Sequence, residues 1–259
     1  RKQNSGIWGK DLHFSNGDLI KIVAPSGTGK TSLIHFLYRM RIDFEGSIFY
    51  DNKSLKHFSN EEIANLRRNQ LSVVLQDMRL FGEQTLFQNL EIKRQLNPFH
   101  PPEKIAEMAE RLGIATRLNA PAKNCSYGEQ QRAVIIRALL QPFDFLLMDE
   151  PFAALDAQTR EIMQTELTRI WRETGKTILF VTHQIDEAVF LSDRILVLTV
   201  RPGRLKEDLR IDLPRPRELP LKRTSEFAVH VDRVWKLIEQ EVRESIRRET
   251  EEALAAARH

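Results

Sequence analysis

Two short stretches hold residues whose types and spacing fit the handling of a nucleoside triphosphate. The first is APSGTGKT, Ala24 to Thr31, one residue away from G-x-x-x-x-G-K-[ST], the pattern of a loop that cradles phosphate. Ser26, Gly27, Thr28 and Gly29 are placed to offer backbone N–H groups to phosphate oxygens, together with the helix start at Thr31 and Ser32. Lys30 is placed to reach the β- and γ-phosphates, and the Thr31 hydroxyl to ligate Mg²⁺. Ala24 stands where the pattern has its first glycine. At the end of a strand, before the anion nest closes, its methyl group is tolerated provided φ is negative. The second stretch is FDFLLMDE, residues 143–150, an apolar strand ending in two carboxylates. Asp149 suits a magnesium ligand, and Glu150 suits a group that polarises an attacking water. Two acids at a strand end are often just a solvated turn; about 120 residues after a phosphate loop, that reading recedes.

Such residues need strands to carry them. Apolar, β-branched runs recur at LIKIVA (19–24), LSVVLQ (71–76), FDFLLMD (143–149), TILFVT (177–182) and RILVLT (194–199), each followed by a helical pattern. Strands buried on both faces read this way, and the alternation with helices predicts a largely parallel α/β sheet. Between Phe81 and Leu140 the strand signal gives way to helical periodicity, as in PPEKIAEMAERLG (101–113). That predicts a helical subdomain, about residues 79–142, inserted into a domain spanning 1–213. PRPRELP then reads as an extended linker within 214–224, because proline blocks helix and removes a ladder donor. Residues 225–259 read as a charged helix with an apolar stripe through Val231, Val234, Leu237, Ile238 and Val242. There is no internal repeat.

Composition narrows the classes. An apolar content of 41% with 29% charged residues is that of a globular protein with a sizeable core. A net charge of +3 is too mild to argue for nucleic acid by itself. The single cysteine, Cys125, excludes an intramolecular disulfide and fits a reducing compartment. No run approaches the roughly 18 apolar residues that span a bilayer, so work at a membrane would need another protein to hold the chain there.

CSYGEQQRAVIIRALL, residues 125–140, resembles the signature of ATP-binding cassette ATPases, L-S-G-G-Q-x-Q-R followed by an alanine-rich helix. Ser126, Gly128, Gln131 and Arg132 match it, while Cys125, Tyr127 and Glu129 depart from it. The resemblance extends over about residues 10 to 215, with the family's other motifs in order: VVLQD, AALDAQTR and FVTHQIDEA. It implies a P-loop NTPase fold with a mainly parallel central sheet, a small antiparallel β subdomain and the inserted helical subdomain. It implies that Ser126 and Gly128 cap the γ-phosphate of ATP bound to a second copy, in a head-to-tail dimer. Glu129 belongs to the same cap and brings negative charge toward ATP; Tyr127 brings a side chain that could crowd the ribose or phosphate. Gln76 is implied to touch Mg²⁺ and sense the membrane partner, Asp156 to cross the dimer interface, and His183 to contact the γ-phosphate and orient water. Alone, a histidine at a strand end is more often a surface or capping residue. The family's adenine-stacking aromatic falls around residues 1 to 3, where none occurs; Trp8 is the nearest substitute.

The two halves resemble different branches. From Asp149 on, EAVFLSDRILVLTVRPGRLKEDLRIDLPRPR is similar to ATPases of nitrate, aliphatic sulfonate and taurine importers. The first half is closer to cassettes of lipoprotein-releasing or cell-division type. All ten asparagines precede Asp149, which suggests two ancestries joined there. The resemblance implies an ATP- and Mg²⁺-dependent hydrolase, peripheral on the cytoplasmic face of the membrane, with transmembrane permease subunits, a second copy of itself and a substrate-binding protein as partners. Nitrate-, sulfonate- or taurine-type import is the first expectation. An export or lipoprotein-releasing ATPase is the alternative, as is a non-transport cassette acting on nucleic acid or ribosomes. Those last proteins usually carry two cassettes or a long coiled-coil insert. This chain has neither, so nucleic acid is not expected.

Overall fold

The computed structural model describes residues 11–25, 28–200 and 203–256. Its strands are β1 (Leu19–Val23), β2 (Phe49–Tyr50), β3 (Lys53–Ser54), β4 (Leu71–Val74), β5 (Phe145–Asp149), β6 (Thr177–Thr182), β7 (Arg194–Leu198) and β8 (Leu205–Arg210). Its helices are α1 (Lys30–Leu37), α2 (Asn60–Asn69), α3 (Leu86–Leu96), α4 (Glu103–Arg111), α5 (Tyr127–Leu139), α6 (Ala157–Thr174), α7 (Ile185–Leu191) and α8 (Ser225–Ala256). The five apolar runs of the sequence are β1, β4, β5, β6 and β7. In β1 and β6 every residue is buried, which is why no polar–apolar alternation marks them.

The described residues form two compact units. Within the described residues, one comprises 11–14, 18–25, 28–33, 181–200 and 203–256; the other comprises Ser15–Gly17 and Ile34–Phe180. In the second unit β4 runs parallel to β5, with Val74 opposite Met148, and β6 lies next to β5. β2 and β3 form a separate antiparallel pair. Helices α3, α4 and α5 fall between β4 and β5, and α5 packs on β4, where the Ser72 hydroxyl donates to the Ala138 carbonyl at 2.7 Å. Capping boxes open α2 (Ser59 with Glu62) and α3 (Thr85 with Gln88), each meeting two orphan N–H groups of its helix.

In the first unit β1 runs parallel to β7, and β8 returns antiparallel to β7. The first half of α8 lies on this unit, with Phe227 and Val234 buried. Lys206 of β8 pairs with Glu241 of α8 at 2.7 Å, and Glu241 also accepts from the Val200 N–H at 3.2 Å. Residues 214–217 do not run free as an extended linker. Arg217 is buried and its guanidinium reaches back to carbonyls at the end of α7, a destination that proline content could not reveal.

One residue of β1 breaks its apolar run. Lys21 is 0% exposed, and its ammonium meets the Glu187 carboxylate of α7 at 3.0 Å. Desolvating two charges offsets much of their attraction, so such a pair adds little over apolar packing, whereas removing one partner strands the other. Glu187→Leu is therefore expected to lower unfolding free energy by about 3–5 kcal/mol, read from urea titration. Adding Lys21→Met should recover most of that loss.

Candidate functional site

The candidate residues of the first unit lie on the exit of β1 and the entry to α7. Ala24 is buried at the end of β1 and is not among the described residues with positive φ, which meets the condition for a methyl group there. The Lys30 ammonium donates to the Ala24 carbonyl at 2.6 Å and to the Pro25 carbonyl at 2.9 Å. The loop thus bends back so that its own lysine rests on it. Thr28 is buried and its hydroxyl donates to the same Pro25 carbonyl at 3.0 Å. Gly29 has φ 94°, a left-handed conformation that side chains rarely adopt, and its carbonyl accepts from the Leu33 N–H at 3.0 Å to start α1. Thr31 is exposed and Ser32 half-buried in the first turn of α1. His183 is exposed, one residue before Gln184, the N-cap of α7. Ser26, Gly27 and Trp8 lie outside the described residues.

The second unit gathers its candidates around α5. Asp149, 1% exposed, ends β5. Glu150 follows with φ 48°, a sparsely populated region for a residue with a Cβ, held only where the surroundings over-determine it. Gln131, buried in α5, supplies that restraint. Its amide donates to the Glu150 carbonyl at 3.2 Å and accepts from the Ala154 N–H at 3.0 Å. Gly128 lies against the same segment: a Cβ there would come within 3.5 Å of Leu155 and 3.6 Å of the Ala154 carbonyl. Asp156 caps α6, accepting from the Thr159 N–H at 2.9 Å and the Thr159 hydroxyl at 2.7 Å. Those bonds hold its carboxyl below the usual range.

Ser126 and Glu129 form the capping box of α5. Ser126 Oγ accepts from the Glu129 N–H at 3.2 Å, while the Glu129 carboxylate accepts from the Ser126 N–H at 2.7 Å and pairs with Arg117 at 3.1 Å. Partial burial pushes the Glu129 carboxyl up, but the Ser126 hydrogen bonds and the Arg117 charge prevail and its pKa is lowered. Tyr127, 55% exposed, reaches along its own chain and donates to the Gln76 carbonyl at 3.3 Å. Arg137, near the other end of α5, donates to the Met78 and Arg79 carbonyls at 2.5 and 2.7 Å. One helix therefore holds the backbone of residues 76–79 at two points.

Beside that segment is a groove of about 270 Å³. It presents Arg79, Lys93 and Arg137 together with exposed Phe81, Ile92 and Leu96. Burial, then the charges of Arg137 and Arg67, bring the Lys93 ammonium down to about 8.

Among the described residues no group of three or more His, Cys, Asp or Glu could hold a metal by itself. Thr31 in the first unit, and Gln76 and Asp149 in the second, each carry an oxygen that is a hard donor, and Mg²⁺ is usually bound by one or two protein oxygens plus substrate phosphates. That donor chemistry fits a magnesium ion that arrives with a nucleotide. Three contributors escaped the sequence reading. Gln131 was visible as a match to the signature but carried no assigned contact. Lys21 was visible as a charge inside an apolar strand. Arg217 carried no signal beyond its prolines.

A family model described as ABC transporter matches residues 9–153. An uncharacterized ABC transporter ATP-binding protein of Methanocaldococcus jannaschii is 38% identical over 242 residues, covering 92% of this chain and 85% of that protein. An aliphatic sulfonates import ATP-binding protein of Bacillus licheniformis is 36% identical over 207 residues, covering 80% of this chain and 78% of that protein. A solved dimeric ATP-binding cassette, in a post-hydrolysis state bound to ADP and Pi, matches with a TM-score of 0.71 and 25% identity. The match covers 78% of this chain and 89% of that one.

Two measurements test this geometry. Gln131→Ala leaves the half-buried Ala154 N–H without its acceptor, and should lower unfolding free energy by about 0.5–1.5 kcal/mol; an unchanged urea midpoint would mean that the amide restrains nothing. Acylation requires a neutral amine, so Lys93 should label with a midpoint near its lowered pKa of about 8, in mass-spectrometric footprinting across pH. The exposed Lys236, whose pKa is raised by Asp232, should label only at higher pH.

Proposed function

The chain belongs to the ABC transporter family, and we propose that it energises import of a nitrate-, sulfonate- or taurine-type solute as a head-to-tail pair. As an ABC transporter ATP-binding subunit it is an ATP hydrolase. Each nucleotide would be held by Lys30 and the loop amides of one copy and capped by Ser126 and Gly128 of the other. Ser126 can serve as helix cap and phosphate donor together, because a hydroxyl accepts and donates at once. Thr31, Asp149 and Gln76 would hold magnesium, whose charge offsets that developing on the phosphate oxygens. Glu150 would take the proton of the attacking water, with His183 orienting that water against the γ-phosphate. Asp156 would cross to the partner copy.

Closing the pair on ATP and opening it after hydrolysis would move a membrane-embedded permease. The groove at Arg79, Lys93 and Arg137 supports such docking, since its cations and exposed apolar side chains suit a permease segment bearing carboxylates and apolar residues. The chain would then sit on the cytoplasmic face of the membrane, with a substrate-binding protein completing the system. Import is favoured by the sulfonate-import relatives, whose similarity spans 207 residues.

The observation that carries the catalytic reading is Glu150, held at φ 48° directly after a buried aspartate. Glu150→Gln should lower turnover by about 10²–10⁴ while ATP remains bound, so that an ATP-loaded dimer accumulates in analytical ultracentrifugation. Turnover at the wild-type rate would remove Glu150 from its role. For the solute, loss of growth on aliphatic sulfonates as sole sulfur source, after deletion of the chain in its host, is the expected result; unaffected growth would reject sulfonate import.

A further inference from the structure

We propose that residues 214–217, Pro-Arg-Pro-Arg, form a clamp on α7 that fixes the placement of His183, with Arg217 as its positioning residue. This rests on the reading of His183 as the γ-phosphate contact. Helix α7 has only seven residues, too few to be stable by itself, and its last four carbonyls need partners from elsewhere. Each has one. The Ala188 carbonyl accepts from the Ser192 hydroxyl at 2.6 Å. Those of Val189 and Phe190 accept from Arg217 Nη1 at 3.2 and 3.3 Å, and that of Leu191 accepts from Arg215 Nη2 at 2.8 Å.

Arg217 does more than cap. Its Nη1 also donates to the Ser192 carbonyl at 2.7 Å. Its Nη2 donates to Asp193 at 2.9 Å and to the Ile211 and Leu213 carbonyls at 3.0 and 3.2 Å. A planar fork thus ties the end of α7 to the chain leaving β8, a task no single ammonium can reproduce. Burial, then the Arg215 charge, bring Arg217 down to about 10, with Asp193 opposing, so it stays cationic at neutral pH. A cation there also suits the negative end of the helix.

The opposite end of α7 is the His183 end, where the Gln184 N–H donates to the Thr182 hydroxyl at 3.1 Å. On its flank, Glu187 is paired with Lys21 of β1, the strand that runs into the phosphate loop. The fork limits sliding of α7 along its axis, and the ion pair limits its rotation. Lys222 stacks over the Phe190 ring at 4.6 Å, so the segment leading into α8 bears on the same helix.

The test measures single-turnover ATP hydrolysis by the full chain, with Arg217→Lys and Arg217→Met, each alone and combined with His183→Ala. A small displacement of a reacting group can lower rates by up to 10²-fold, so each Arg217 variant should lose roughly tenfold or more in rate, with ATP affinity nearly unchanged. In the His183→Ala background the same changes should cause no further loss, because residues acting through one group are not additive. Hydrogen exchange at residues 185–191 should quicken. Val234→Ala, in the core of α8, provides a destabilised control that should keep its rate. Unchanged rate in Arg217→Lys, or a loss that multiplies with His183→Ala, overturns the clamp alone. A His183→Ala protein with wild-type turnover overturns the His183 reading and the clamp with it. If neither Arg217 variant folds, Arg215→Gln, which removes the Leu191 cap and the Asp193 ion pair from a partly solvated position, decides by the same criteria.

Discussion

An α-helix leaves four N–H groups at one end and four C=O groups at the other without intrahelical partners, and several of the residues that satisfy them here belong to the candidate site or bear on it. Ser126 and Glu129 close the start of α5, Asp156 closes the start of α6, and Arg215 and Arg217 close the end of α7. A cap ties a side chain to the end of a rigid element by hydrogen bonds. Phosphate chemistry needs donors aimed in advance, so caps are an economical place for them. The same constraint tempers Glu129. Its negative charge, of the same sign as that of ATP, is already engaged by the Ser126 N–H and Arg117.

Two helices distribute this order. In the second unit α5 reaches Gln76 through Tyr127, Glu150 and Ala154 through Gln131, and Met78 and Arg79 through Arg137. Three of those target residues, Met78, Arg79 and Glu150, have φ of 54°, 50° and 48°. Backbone strain of about 1–3 kcal/mol per residue persists only under such restraint. In the first unit α7 follows directly on His183 and Gln184. What distinguishes the two helices is the source of restraint: α5 supplies it with its own side chains, whereas α7 receives it from β1 and from residues 214–217.

Much of this could be read from sequence because burial on both faces writes itself into composition. LIKIVA, LSVVLQ, FDFLLMD, TILFVT and RILVLT all contain strands, since strands buried on both faces read as near-continuous apolar runs. The expected phosphate loop, the Asp149–Glu150 pair and the histidine after β6 are likewise local patterns in the sequence. What stayed hidden depends on where long side chains go. Proline rules speak of backbone alone, so PRPR gave no hint that its arginines turn back to α7. Tyr127 was expected to threaten ribose or phosphate by bulk, yet its hydroxyl meets the Gln76 carbonyl of the same chain. Neither destination can be inferred without knowing which carbonyls the fold leaves bare.

The compositional break at Asp149 can be weighed against these contacts. A join between unrelated halves would leave mismatched partners where the halves meet, and buried polar groups would show the mismatch first. Instead Gln131, before the break, satisfies both Glu150 and Ala154 after it. Arg111 of α4 meets Glu166 of α6 at 2.6 Å in a half-buried pair. Val74 sits in register with Met148, and β5 carries that register up to the carboxylates. The division into compact units falls elsewhere, at Leu33–Ile34 and Phe180–Val181, and the Methanocaldococcus relative aligns across 92% of the chain without stopping at Asp149. Whatever its ancestry, the segment around Asp149 is fitted on both sides, because a strained Glu150 can be held only by a partner already matched to it.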